Sequence, residues 1–288
     1  MSSHIETVLN ALHHKTVSFL PRGELFINES FLDHYFSEYK GQYVKQLETA
    51  AQGLGLSVIG VGLVTKEPYS LLSENRYREL DQYFLVGWIN GPVSGLIKNH
   101  GFIDAMLSIR NSPSLFSEIA AKLFRDIEEK VKLAHANGMR AIAVADDIAG
   151  NKGLLFSHDY FLETVWPVYK EMAEIIKGNG LYTFFHSDGD MRKVMELLIE
   201  AGYDCIHPVD TQAGLNLYEL KEEFGELVCF MGHIDIMTWS KERIQEEMVL
   251  AEKQFKKGGL IIGSTCGISM ETASDNLNLL YPAWGKKK

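Results

Sequence analysis

The chain of 288 residues holds only three cysteines, Cys205, Cys229 and Cys266, which do not suggest a disulfide framework. Cys205 and Cys229 lie inside apolar, strand-like runs and read as small buried hydrophobes. Cys266 follows such a run, between Thr265 and Gly267, and is the cysteine placed for chemistry. A basic excess is also missing: 28 lysines and arginines face 38 aspartates and glutamates, a formal net charge of -10. That argues against nucleic-acid binding, which needs a basic stripe. An anionic small molecule could still find a local arginine pocket. No apolar run approaches membrane-spanning length, and Met1-Ser2-Ser3-His4-Ile5-Glu6 lacks the basic-then-apolar signal pattern. A cytoplasmic protein with no membrane partner is expected. No Pro-, Ser- or Gly-rich linker divides the chain, and no GxGxxG follows the first strand-like run, which weakens a dinucleotide-binding reading.

What is present is a rhythm. Hydrophobic residues make up 46% of the chain and charged residues 23%, the balance of a globular protein with a sizeable core. Eight short apolar runs stand at 17–20, 56–61, 83–89, 140–145, 181–185, 204–208, 227–231 and 260–263. Most are continuously apolar rather than alternating, the pattern of strands covered on both faces in a parallel sheet. Segments of helical periodicity separate the later runs, at 119–135, 161–176, 191–201, 217–224 and 244–255. Several end in glycine just before the next run, as at Asn137-Gly138, Asn179-Gly180 and Ala201-Gly202, where glycine closes a helix in the left-handed conformation. Eight strands alternating with helices predict an α/β protein, a (β/α)8 TIM barrel, as one domain over residues 1–288. An amphipathic N-terminal helix over 5–12 precedes it. The stretch 91–117, with Asn99-His100-Gly101 and Arg110-Asn111-Ser112-Pro113, is expected as an insertion of short helices over the barrel mouth.

In such a barrel, function gathers at the C-terminal ends of the strands. The polar residues there are Arg22 and Glu24, Asn90, Asp146-Asp147, His186 and Asp188, His207 and Asp210, His233 and Asp235, and Cys266. Such a mouth suits a metal or acid–base site and is poor in glycine-rich phosphate loops. His186, Asp188 and Cys266 are the candidate metal ligands: imidazole, carboxylate and thiolate all bind zinc, and three protein ligands with one open position is the catalytic pattern. The competing reading is that Asp188 or Asp190 caps the helix starting near Met191, leaving His186 a hydrogen-bonded mouth residue. Asp146, Asp147 and Glu24 are the candidate catalytic residues. Asp146 and Asp147 could instead orient a ligand histidine or cap a loop, and Glu24 could be a fourth ligand or a salt-bridge partner. Arg22, His207, His233 and Asp235 are the candidate substrate contacts, with capping as the competing role for Asp235.

Read in order, several motifs make the chain resemble the uroporphyrinogen decarboxylase superfamily from about Val8 to Leu280. They are Val144-Ala145-Asp146-Asp147-Ile148-Ala149-Gly150, His186-Ser187-Asp188-Gly189-Asp190, Gly202-Tyr203-Asp204-Cys205-Ile206-His207-Pro208, Lys221-Glu222-Glu223-Phe224-Gly225, Met231-Gly232-His233-Ile234-Asp235 and the run from Gly258-Gly259 to Cys266. The resemblance implies the (β/α)8 fold and one of two activities. True decarboxylases need no metal and carry an N-terminal RQAGRY motif; here the region reads Phe19-Leu20-Pro21-Arg22-Gly23-Glu24-Leu25-Phe26, without it. The other branch comprises cobalamin-dependent methyltransferases, some of which bind zinc through His-x-Cys and a later Cys. His186 matches the first ligand and Cys266 the last, while Asp188 stands where the middle Cys would be. Exchanging thiolate for carboxylate makes the ion harder, which suits a methyl donor bonded through oxygen or nitrogen.

The resemblance therefore implies a zinc-dependent methyltransferase acting between a small methylated donor or acceptor and a corrinoid supplied by a carrier protein, in a chain that is a monomer or homodimer. A metal-free decarboxylase of a carboxylic acid, with Arg22 as anchor, is the second reading. A barrel that binds metal or a partner without turnover is the third.

Overall fold

The computed structural model describes residues 3–284 apart from 65, 112, 273 and 274. Eight strands form one parallel sheet in chain order: β1 (Gly23–Glu24), β2 (Val58–Gly62), β3 (Phe84–Asn90), β4 (Ala141–Ala145), β5 (Tyr182–His186), β6 (Cys205–His207), β7 (Cys229–Ile234) and β8 (Leu260–Ser264). A parallel bridge between Arg22 and Ile262, and the Ile262 amide donating to the Pro21 carbonyl, bring β1 back against β8. This is the (β/α)8 barrel expected from the strand rhythm. β2 and β8 are buried at every position, which is why their sequences run apolar without alternating.

Two apolar layers result. Inside the barrel, Val58, Phe84, Val86, Ala141, Phe184 and Ile261 pack together, and Val8, Ala11 and Leu12 pack with them. Those three belong to α1 (His4–Leu12), the predicted N-terminal helix, whose first turn is capped by the Ser3 hydroxyl accepting from the Glu6 amide at 3.1 Å. The Gly259 amide donates to the Ala11 carbonyl, so α1 closes the end of the barrel where β8 begins.

Outside lies the larger layer between sheet and helices. It is covered by α2 (Glu29–Tyr35), α3 (Tyr43–Leu54), α4 (Lys66–Ser73), α5 (Pro92–His100), α6 (Phe102–Asn111), α7 (Pro113–Ala136), α8 (Trp166–Gly178), α9 (Arg192–Ala201), α10 (Leu217–Phe224), α11 (Lys241–Gln254) and α12 (Asp275–Leu280).

The first strand departs from the expectation. Residues 17–20 are not a strand; the Val17 amide donates to the Lys256 carbonyl, and Leu20 is buried without pairing in the sheet. Within the run Leu20 is buried and Val17 half-buried, whereas Ser18 and Phe19 are exposed; the true β1 is two residues long and carries a glutamate. The 91–117 insertion is α5, α6 and the first turn of α7, which starts at Pro113 rather than at 119. Ser112, in the quoted Arg110-Asn111-Ser112-Pro113, lies outside the described residues.

Gly60 is what lets β1 lie so close to β2. A Cβ at Gly60 would fall 2.0 Å from the Leu25 carbonyl oxygen, which is backbone and cannot swing away. Gly60→Ala should cost about 1–3 kcal/mol, the usual range for overpacking. Urea denaturation would report this as a lower midpoint at unchanged slope.

Candidate metal centre

β4 and β5 are neighbours in register, with Ala145 opposite His186. Two residues beyond those strand ends stand Asp147 and Asp188, so parallel pairing brings the two carboxylates level. The Asp188 amide donates to Asp147 Oδ1 at 3.0 Å, and His186 Nε2 lies 3.8 Å from the same oxygen. One ligand atom each from Asp147, His186 and Asp188 falls within 4.8 Å of the other two. The loop is held from behind: the Ile148 amide donates to Ser187 Oγ at 3.0 Å, and the Gly189 amide to Asp210 Oδ2 at 3.1 Å.

The neighbouring strand contributes a second imidazole. His207 ends β6 opposite His186, and the two Nδ1 atoms are 2.8 Å apart. By the two-residue period of a strand, His186 follows Phe184 and His207 follows Cys205, both of which face the barrel interior. Burial pushes His186 down to about 4, against an upward pull from Asp147. Burial and the nearby His186 hold His207 well below the usual range. Partial burial, then the like charges of Asp147 and Asp210, push the Asp188 carboxyl up to about 6. One imidazole and two carboxylates are a donor set that fits zinc, and three donors leave a coordination position open.

Beside this group runs a cleft of about 410 Å³, lined among others by Phe26, Tyr43, Gly60, Gly62, Trp88 and Cys266. The Phe26 ring is the shared wall, its centroid 4.8 Å from that of His186 and 5.2 Å from that of Trp88. Gly62 pairs in register with Trp88, and a Cβ there would lie 2.7 Å from the indole, so the bare position makes room for the ring. Phe26 and Trp88 were absent from the residues singled out in the sequence. The available signal was a tryptophan on an inner strand position beside a strand with glycine at two alternate positions.

The remaining sequence candidates are placed elsewhere. Cys266 lies in the cleft, three strands round the barrel from His186, and is not in the ligand group found among the described residues. Its thiol is pushed up to about 11 by burial, then by the negative charges of Glu24 and Asp235. Asp146 is fully buried and caps α5, accepting from the Val93 amide at 3.0 Å, the Ser94 amide at 2.5 Å and the Tyr169 hydroxyl at 2.6 Å. Burial pushes its carboxyl up to about 6 despite those three donors.

Glu24 points away from the mouth because Gly23 and Leu25, on either side of it, face the interior. It accepts from the Ser264 amide at 2.8 Å, the Ser264 hydroxyl at 2.9 Å and the Tyr281 hydroxyl.

Arg22 precedes β1, at the end of the barrel opposite the mouth. Its Nε donates to the Leu280 carbonyl at 3.0 Å and its Nη2 is 4.0 Å from Glu252. His233 is turned outward: consecutive φ values of 91° at Gly232 and 96° at His233 break the alternation of β7. His233 Nε2 then meets Glu247 of α11 at 3.0 Å. Asp235 caps the turn after β7, accepting from the Met237 and Thr238 amides at 3.0 and 2.9 Å and from Gln212 Nε2 at 2.9 Å. The competing capping role is the one its contacts display.

Comparison with known proteins agrees with this architecture. The profile of the uroporphyrinogen decarboxylase (URO-D) family matches residues 73–285. No curated protein matches the chain. Among solved structures, a methyltransferase from Methanosarcina mazei superposes with a TM-score of 0.75 at 16% identity, over 100% of this chain and 99% of its own. The IOLI protein, solved with a bound zinc atom, gives 0.51 at 13% identity, over 84% of this chain and 90% of its own. The β-mannanase of the blue mussel Mytilus edulis gives 0.51 at 13% identity, over 93% of this chain and 92% of its own. At such identities these likenesses establish the fold.

Proposed function

We propose, from the premise that the chain belongs to the uroporphyrinogen decarboxylase (URO-D) family, that it is a zinc-dependent methyltransferase working with a corrinoid carried by a separate protein. The observation that carries this reading is the Asp147–His186–Asp188 group, whose histidine packs on the Phe26 ring that walls an aromatic cleft. The methyltransferase named among the fold neighbours and the zinc held by another support it. His186 would bind through Nε2 and the two aspartates through one carboxylate oxygen each. Bound zinc would supply Lewis acidity, stabilising charge on the heteroatom that loses or gains the methyl group.

The chain's own part is positioning. Phe26 and Trp88 wall the cleft beside the ligand group, offering apolar surface to a small methylated molecule and keeping water from that side. Cys266, on the same cleft, carries a protonated thiol at neutral pH. The metal-free decarboxylase loses its anchor, because Arg22 is engaged by Leu280 and Glu252 away from the mouth.

The test is a screen of methyl aryl ethers and methylamines with reduced free corrinoid and zinc-loaded protein. Methylcorrinoid formation should be followed by absorbance and should disappear in His186→Ala. Turnover unaffected by a strong chelator, or metal-free release of carbon dioxide from a carboxylic acid, would refute the proposal.

A further inference from the structure

Arg140 stands immediately before β4, at the end of the barrel away from the mouth. Its peptide is clamped on both sides, the amide donating to the Leu85 carbonyl and the carbonyl accepting from the Tyr182 amide, each at 2.9 Å. Among the described residues, Arg22 and Arg140 are the half-buried arginines. Arg22 uses its Nε on the Leu280 carbonyl. Arg140 Nε is buried and meets no acceptor, and no ion pair engages its guanidinium. An arginine side chain can donate but not accept, so a buried unpaired N–H of this kind calls for an oxygen.

The space beside it suits one. Arg140 lines a crevice of about 210 Å³ between α1, the ends of α7 and α8, and the starts of β4 and β5. Leu9, Met139 and Leu181 supply apolar walls, while His135 and Tyr182 add an imidazole and a hydroxyl. The Tyr182 hydroxyl is held 2.9 Å from His13 Nε2. No aspartate or glutamate is among the lining residues. Asp204, whose charge reaches Tyr182, is already engaged: it accepts from Lys177 Nζ at 2.9 Å and from the Thr183 amide and hydroxyl at 2.8 and 2.9 Å.

We propose that this crevice binds a small organic anion, with its carboxylate or phosphate oxygens on Arg140 and its apolar part against Leu9, Met139 and Leu181. The planar fork of a guanidinium meets two oxygens of either head group at once. The apolar walls favour an anion carrying a short hydrocarbon part over a bare one. Seven residues, most of them β4, separate Arg140 from Asp147, roughly 20 Å at about 3.3 Å per residue. An anion held here therefore leaves the candidate metal group free.

The experiment is calorimetric titration of the whole chain with butyrate, butyl phosphate, inorganic phosphate and, as the uncharged control, butanol. Butyrate or butyl phosphate should bind at one site, inorganic phosphate more weakly, and butanol not at all; the tighter of the first two identifies the head group. Arg140→Gln should weaken that binding about 10- to 100-fold, the worth of a charge-assisted hydrogen bond. Arg192→Gln, which removes an exposed arginine paired with Asp190, should leave it unchanged. Thermal unfolding checks that both variants are folded. In wild type, nitrogen-15 NMR of labelled arginine gives a readout that needs no variant: the bound anion should shift one buried Nε resonance. No binding at millimolar anion, an affinity unchanged in folded Arg140→Gln, or butanol bound as well as butyrate would overturn the proposal.

Discussion

Between pH 5 and pH 8 the Glu24→Gln variant should gain about 3 kcal/mol of stability relative to wild type. Glu24 is fully buried, and burial pushes its carboxyl from 4.5 up to about 7, against the pull of Tyr281 and Ser264. Folded protein therefore holds this proton up to about pH 7, while the unfolded chain releases it near pH 4.5. In that window the folded state binds more protons, so its stability falls as pH rises, and the loss is complete above the folded value. At 1.36 kcal/mol per pH unit the separation is worth about 3 kcal/mol.

Glutamine stays neutral throughout. Its amide oxygen can accept from the Ser264 amide, while its nitrogen donates to hydroxyls that can also accept. Asp146 and Asp188, both raised to about 6, run in the same direction as Glu24. His186, lowered to about 4, runs in the opposite one. The difference between variant and wild type isolates Glu24 from all three. Urea midpoints at the two pH values measure it, and an equal difference at both would show that Glu24 is not a buried acid.

His186→Ala should lose zinc affinity by more than about 100-fold, beyond the range seen when only a supporting residue is removed. The substitution takes away the one neutral donor and leaves Asp147 and Asp188 as two like charges with no imidazole between them. It also orphans His207 Nδ1 inside the barrel, which costs roughly 1–3 kcal/mol for an unsatisfied buried polar group. The protein should stay folded because the inner and outer apolar layers are untouched. Calorimetric zinc titration beside a thermal melt separates the two effects. Wild-type affinity in a folded His186→Ala protein would place the metal elsewhere.

Most of the barrel was legible because seven strands are covered on both faces and read as apolar runs. β1 was not, since two residues, one of them a glutamate, leave no periodicity, whereas 17–20 offers an apolar run of which only Leu20 is buried and none pairs as a strand. The His-x-Asp spacing after β5 pointed to His186 and Asp188. Asp147 was visible as a strand-end acid, but its partnership with them depends on β4 and β5 being adjacent and in register, which only the closed sheet establishes. The same register logic works against Cys266: it too lies two residues past its strand, yet β8 is three strands from β5. His233 illustrates a different limit, for nothing in Met231-Gly232-His233 announces two left-handed residues in the middle of a strand.

Metal content per chain, measured after zinc reconstitution and desalting for wild type, Asp147→Ala and Cys266→Ala, tests the centre most directly. The geometry predicts about one zinc in wild type, little or none in Asp147→Ala, and the wild-type amount in Cys266→Ala. Zinc retained without Asp147 but lost without Cys266 would contradict this ligand set and return the site to the His186, Asp188 and Cys266 pattern of the sequence.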